Sequence, residues 1–575
     1  MDGDSVSVSI NGQSQALSAP TPSIPFYTGV ATVPDGDISY QYVVDGKPEA
    51  FTRILPATSN ITFNDLYGRS ISYKPLPPFP NPLPNRPKWT RESPLLPLYD
   101  YAYVPVLHFT TDPGQLTQFN NMSIPYVTTT FTIFYANGAQ TFQNVVVALH
   151  QDEPIYEAKR ALSIGLTGAD SINGRKYFKL RDLAREPTQM REVTYGGMLH
   201  ACGLVTPNQI HVRVYINKIP YGLFAMTDYT RVKNGIQGNT REGFAASAFF
   251  NGSPPAPIID WFEGSGNFAY LGDDPAAYKQ YESRNDLSPT VKDLIPSLKL
   301  LANINGTQEG ADAFAQTWDI DQIFISMIFE YLCESWDGYW SNSRNYAFYL
   351  DPVTNKWFYI TQDFDYTFSM YSRGDTPNST YQVWENNQAR PLIPKDPPTT
   401  MPLINNLLAV PSYRKRFEDT LVAIVKYLYN PVAFNQRVLA HAERLAEEIK
   451  WDLSNPRLMP GNPNRWTYEQ FLSGVNGTGA TGGAKYSLTR YVQARAETVA
   501  KQFNFQWNPV AQDAPAVPPI TGAAPPPSND PVTGGRSIDD QPVRKAATSG
   551  AVSKGLVQML MAGVVGLSAV FIVYV

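Results

Sequence analysis

Residues 330–370 read EYLCESWDGYWSNSRNYAFYLDPVTNKWFYITQDFDYTFSM. The apolar run that enters this stretch, DIDQIFISMIFEYLCESW, has helix length and closes at Trp336-Asp337. A loop follows, then the aromatic-rich runs NYAFYL and KWFYIT around DPVTN, a hairpin pattern that delivers Asp363-Phe364-Asp365. Phosphoryl transfer requires one carboxylate to orient the attacking hydroxyl and others to hold a divalent cation against the phosphates. An Asp after a helix, an Asn a few residues on and a second Asp after a hairpin is the order that protein kinases use. Asp337 with Asn342 gives D-x-x-x-x-N, and Asp363-Phe364 opens like D-F-G, with Asp365 where the Gly would stand. Spacing alone leaves a plainer alternative, because Asp in loops commonly caps or turns the chain.

Upstream of this stretch, VPVLHFT, TTTFTIFYA, FQNVVVALHQ, RALSIGL and RKYFKLR are strand-like. EPTQMREVTYGGMLHACG reads as a helix with Pro187 in its first turn and Gly203 at its end. HVRVYI and YGLFAMTDY are further strands about a turn at Asn217-Lys218. From about residue 285 to 505 the periodicity is mainly helical. Strands with one helix, then mostly helices, predict an α+β fold of two lobes, about 100–235 and about 236–505.

Residues 1–75 alternate as short strands between Gly, Pro, Asn and Asp, predicting a small all-β sandwich with a YQYVVDG–FTRIL hairpin. That module resembles surface modules that bind starch-like glycans, although a packing or spacer role needs no aromatic platform. A proline-dense linker at 76–99 predicts extended geometry that holds the two parts apart.

The two ends point to the cell surface. Leu556–Val575 is uncharged and ends the chain without a following Lys or Arg. Small residues at Ala546–Ala551 and a short polar spacer precede it, which together form a GPI-anchor signal, with a retained transmembrane helix as the alternative. Residues 506–555 read as a flexible stalk rich in Pro, Ala, Gly and Ser. The first residues, MDGDSVSVSINGQ, carry no apolar leader, so a secretory signal is expected upstream of them. Asn60, Asn121, Asn251, Asn305, Asn378 and Asn476 head N-glycosylation sequons, consistent with secretion.

Composition narrows the classes. The 575 residues exceed one core, and 17% charged with 13% aromatic residues describes folded, loop-rich domains and not a disordered chain. A net charge of −5 offers no broad basic surface, which argues against nucleic acid. None of the five histidines forms HExxH spacing, which disfavours a zinc enzyme. Cys202 and Cys333 are either two buried thiols or one disulfide.

SWDGYWSNSRNYAFYLD with KWFYITQDFDYTFS, and GRKYFKLRDLAREPTQMREVTYGGMLHACGL with VRVYINKIPYGLFAMTDY, resemble the CotH (spore coat protein H) family, in particular its fungal surface members. The resemblance spans about residues 100–505 and, more loosely, the amino-terminal module. It implies an atypical protein-kinase-like fold and, in bacterial members, ATP-dependent phosphorylation of secreted or coat proteins, with Mg²⁺ or Mn²⁺ as the expected ion. Carried over by position, Asp337 is the catalytic base, Asp363 the metal ligand, and Asp365 assists or holds a second ion. Asn345 takes the family's loop position, with Asn342 its rival from kinase spacing. Lys179, paired with Glu192, is the expected phosphate lysine, and Lys159 and Lys176 are alternatives. Arg181 and Arg191 are equally open as structural ion-pair partners. No G-x-G-x-x-G precedes the lysine, only Gly165, Gly168 and Gly174 in a loop. Two functions stay open: a secretory-route kinase acting on Ser or Thr of secreted or wall proteins, and a surface adhesin that binds a host-cell receptor.

Overall fold

The computed structural model describes residues 5–87, 89, 95–150, 156–168, 170–228, 258–261, 266–279, 281–283, 290–351, 353–372, 377–386, 400–463, 466–516 and 568–575. Asn251, the candidate anchor site at Ala546–Ala551 and the stalk beyond residue 516 lie outside them.

Seven short strands open the chain: β1 (Val6–Ile10), β2 (Gln13–Ala16), β3 (Phe26–Thr32), β4 (Ile38–Val44), β5 (Lys47–Pro48), β6 (Arg53–Leu55) and β7 (Asp65–Leu66). In β1 and β4 every second residue is buried, as period-two alternation requires of a sheet with one face on a core. One sheet runs β2-β1-β4-β5, with β6 also paired to β4 through Ile38↔Leu55, the expected hairpin.

The next seven strands close a barrel: β8 (Val106–Thr110), β9 (Tyr126–Tyr135), β10 (Gly138–Leu149), β11 (Leu162–Gly165), β12 (Tyr177–Arg181), β13 (Gln209–Ile216) and β14 (Ile219–Asp228), in the order β10-β11-β12-β14-β13-β8-β9. Phe131, Ile164, Phe178, Leu180, Val212 and Phe224 fill its interior. Because Phe178 and Leu180 point inward, Tyr177, Lys179 and Arg181 belong to the outer face of β12. Helix α1 (Pro113–Asn120) covers Leu116 and Phe119 on the barrel side.

Helix α2 (Arg191–Ala201) starts later than Pro187. The Glu186 carboxylate explains the delay. It accepts from the Thr188 and Arg191 backbone N–H groups at 2.8 and 3.2 Å, so the preceding residues form a turn that caps the helix. Gly203, at φ 73°, follows its end as expected. Met190, Val193, Tyr195, Met198 and Leu199 pack into the helical core, not into the barrel.

That second core is built by α3 (Val291–Ala302), α4 (Gln308–Ala315), α5 (Ile320–Leu332), α6 (Tyr339–Asn342), α7 (Tyr381–Glu385), α8 (Pro402–Leu408), α9 (Pro411–Tyr427), α10 (Pro431–Ser454), α11 (Tyr468–Asn476) and α12 (Leu488–Phe503). A sheet of order β16-β15-β17-β18 lies among them, with β15 (Ile258–Trp261), β16 (Tyr281–Ser283), β17 (Tyr346–Asp351) and β18 (Lys356–Thr361). The α+β class is therefore observed. Phe268 is buried against Tyr281, Trp318 and Tyr339. Cys202 and Cys333 are buried free thiols.

One expectation about long-range arrangement changes. The proline-dense segment does not hold the parts apart: Phe79 packs near Phe434 of α10, and Arg437 donates to the Pro77 carbonyl at 3.1 Å. Arg69, just after β7, pairs with Glu448 of α10. The apolar carboxyl terminus also has a structure of its own. Ser568–Tyr574 forms β19, the central strand of the sheet β3-β19-β7. No described helix is long and apolar enough to cross a membrane.

Candidate functional site

The site assembles where β12, α2, the loop after α5 and the turn after β18 meet. Helix α5 is buried along its length, so its end is fixed by packing. The chain then turns so tightly at Gly338 that a Cβ there would stand 2.8 Å from the Glu330 carboxylate. Glu330 accepts from the Trp340 backbone N–H at 2.7 Å and so braces the loop that carries Asp337. Burial pushes the Glu330 carboxyl up to about 8, against the backbone N–H groups that bind it.

Asp337 is held from both sides. Asn342 Nδ2 donates to its Oδ1 at 2.7 Å, and Asn345 Nδ2 donates to its Oδ2 at 3.1 Å and to its backbone carbonyl at 3.0 Å. Both rival asparagines therefore contact the expected base. Asn345, at φ 57°, also accepts from the Gln362 backbone N–H at 3.0 Å, tying this loop to the end of β18. Burial raises the Asp337 pKa, the two amides oppose it, and the negative charge of Asp363 adds to it.

After β18, Asp363 takes φ 66°, a left-handed conformation uncommon for a residue with a Cβ. Its neighbour Phe364 is stacked on Tyr195 of α2, with ring centroids 4.2 Å apart and planes 10° apart. The Phe364 backbone N–H donates to Glu192 Oε2 at 2.8 Å. Arg191, one residue earlier on α2, donates through Nε to the Thr367 carbonyl at 3.1 Å. The helix thus grips the Asp-Phe-Asp turn at two points.

Arg181 meets three of these acids. Its guanidinium stands 3.5 Å from Glu192, 2.6 Å from Asp363 and 3.1 Å from Asp365. Lys179 lies two residues earlier on the same outer face, buried, and its charge also lowers the Glu192 pKa. Burial raises the Glu192 pKa, opposed first by Arg181. Burial and Asp363 hold Asp365 well above the usual carboxylate range, again against Arg181. A cavity lined by Arg181, Arg185, Glu192 and Asp365 opens beside this cluster.

The remaining lysines are engaged elsewhere. Lys159 is buried in an ion pair with Asp452 of α10, and burial lowers its pKa to about 8. Lys176 Nζ donates to the Gly168 carbonyl at 2.9 Å, across the glycine-bearing loop. Among the described residues, no three His, Cys, Asp or Glu side chains gather as a group able to hold a metal ion. Asp363 is near enough for its charge to raise the pKa of both Asp337 and Asp365, and these carboxylates offer oxygen ligands of the kind a hard cation takes. Mg²⁺ usually takes only one or two protein carboxylates and completes its shell with water and phosphate oxygens.

The structure brings Asn342 and Asn345 to Asp337, and Glu192, Asp363 and Asp365 to Arg181, which the sequence leaves open as an ion-pair partner. The usable signal for Arg181 was its parity with Lys179 on β12.

The profile of the CotH kinase protein family matches residues 158–473, a span that contains all of these positions. The chain is 32% identical over 547 residues to Invasin CotH3 of Rhizopus delemar, covering 92% of this chain and 88% of that protein. It is 32% identical over 517 residues to Invasin CotH2 of the same organism, covering 87% and 82%. To that organism's Spore coat protein homolog 1 it is 31% identical over 509 residues, covering 86% and 79%.

Proposed function

The chain belongs to the CotH family, and from that premise we propose that it is a cell-surface protein whose site transfers the γ-phosphoryl group of ATP to Ser or Thr of a secreted or wall protein. The observation that carries this reading is the double engagement of Glu192. One carboxylate meets the β12 guanidinium and the Phe364 backbone N–H. In protein kinases the strand cation, the helix glutamate and the Asp-Phe turn must likewise be in place together.

The roles follow from position. Asp337, oriented by Asn342 and Asn345, accepts the proton of the attacking hydroxyl. Arg181, steadied by Glu192, presents positive charge to the phosphates. Asp363 and Asp365 are the residues that would hold Mg²⁺ or Mn²⁺, which supplies charge neutralisation at the phosphates. For the acids to do so, the guanidinium must turn from Asp363 and Asp365 toward the nucleotide.

A second reading has its own support. Two of the relatives are named invasins, and Arg181 already neutralises two of the acids, as a purely structural cluster would. Under it the chain is a non-catalytic ligand for a host-cell receptor or a wall component. Under either reading the location is the cell surface, reached by the secretory route and held by a GPI anchor.

Transfer of labelled γ-phosphate by purified protein, with Mn²⁺ or Mg²⁺, separates the two. Activity in the wild type and its loss in Asp337→Ala and Asp363→Ala supports the phosphotransferase. Equal signal from all three leaves the binding role alone.

A further inference from the structure

The sheet β3-β19-β7 depends on its middle strand, because β3 and β7 are joined through β19. Seven antiparallel pairs run from Ser568↔Thr32 to Tyr574↔Phe26, and Val573↔Asp65 and Tyr574↔Leu66 pair in parallel. Beyond the strand ladders, the Val570 N–H donates to the Asn60 carbonyl at 2.8 Å, and the Thr62 N–H to the Val570 carbonyl at 3.0 Å. The Ile572 N–H donates to Thr62 Oγ1 at 3.0 Å, and Tyr42 Oη donates to the Ile572 carbonyl at 2.8 Å.

Side chains fill both faces. Ala569, Phe571 and Val573 enter the module's core beside Val8, Tyr40 and Leu55. Tyr574 packs on the other side with Val106, Phe134 and Tyr215 of the barrel. Without a strand here, two buried sheet edges and the Thr62 and Tyr42 hydroxyls lose partners, and the core loses Phe571.

The same residues fall within the segment whose composition reads as an anchor signal, which attachment removes. A removed signal and a central strand are exclusive fates. We propose that the slot between β3 and β7 is a strand-acceptor site. Residues 568–575 fill it in the uncut chain, and after their removal it takes another extended, uncharged peptide with large apolar side chains at alternate positions. This is recognition by strand addition, in which backbone pairing gives affinity and the pockets for Phe571 and Val573 give register. It is independent of phosphoryl transfer but uses the anchor reading for the removal.

The test uses the full chain with a specific protease site placed between residues 520 and 555, cut after folding. The probe is a fluorescent peptide of residues 568–575 carrying added lysines for solubility. The severed tail is expected to stay with the body through gel filtration, and the probe to displace it. Uncut protein should take up none. A probe with Phe571→Asp and Val573→Asp should bind at least about tenfold more weakly. Immediate loss of the severed tail with no probe uptake overturns the proposal, and so does equal uptake by cut and uncut protein, which indicates adventitious sticking.

Discussion

Glu330 shows how one buried acid can set a pH dependence. Its carboxyl is fully buried, bonded to the Trp340 N–H, and raised from an ordinary 4.5 to about 8. The native state therefore holds a proton that the unfolded chain releases between those values. Its contribution to stability is fully present below pH 4.5 and is lost as pH rises through about 8. Glu330→Gln keeps an acceptor for Trp340 and cannot ionise. Urea midpoints of the wild type should fall over this window and those of the variant much less, so that the variant is the more stable at pH 8. Parallel curves for the two proteins would remove Glu330 as the cause. Alternation on β12 put Lys179 and Arg181 on one face, but the approach of Arg181 to Glu192 depends on how α2 packs against the strand. It also depends on Asp363 and Asp365, brought from nearly two hundred positions away, and no local pattern encodes that meeting.

At the scale of elements, α2 was legible in its apolar positions and its Gly203 stop, and misread at its start. The sign of Pro187 at a helix's first turn was outweighed by Glu186, whose side chain takes the Thr188 and Arg191 N–H groups, the Thr188 hydroxyl and the Arg191 guanidinium. Arg191 is fully buried, so its charge depends on that carboxylate. Glu186→Ala should destabilise the protein by about 3–5 kcal/mol, as removing one partner of a buried pair does. The double variant Glu186→Gln, Arg191→Met should recover part of this, because it leaves no unpaired charge. Chemical unfolding measures both, and a double variant weaker than the single would show that Arg191 acts mainly through the Thr367 carbonyl. The carboxyl-terminal strand was illegible for another reason. After Ser568, AVFIVY is hydrophobic at every position, so alternation could not separate a doubly buried strand from a membrane-directed segment.

Across the whole molecule, helix α10 carries the charges that join the amino-terminal module, the barrel and the helical core. Glu448 meets Arg213 of β13 and Arg69 beyond β7, and four residues on Asp452 meets Lys159 and Arg457 and accepts from the Leu223 N–H at 2.8 Å. The spacing of four puts both acids on one side of the helix, a pattern readable in the sequence only once the partners are known. Burial alone would raise the Glu448 pKa, but Arg213 and then Arg69 overcome it and hold it below its ordinary value. For Asp452 the same contest is won by Lys159 and Arg457. With folded values depressed, this stability is present above the ordinary carboxylate range and is lost as pH falls through the lowered values. Acid should therefore loosen all three parts together, because one helix face serves each of them. Glu448→Gln removes the charge that two buried arginines require. At pH 7 it should cost about 3–5 kcal/mol, with a single shifted transition whether unfolding is followed by aromatic fluorescence or by far-ultraviolet dichroism. As pH falls through the lowered Glu448 value the gap between variant and wild type should narrow, since protonated Glu448 is also uncharged. Two probes that separate in the variant while coinciding in the wild type would contradict that single transition. If the gap stays constant from pH 7 down to acid unfolding of the wild type, the Glu448 charge is not what holds the parts together.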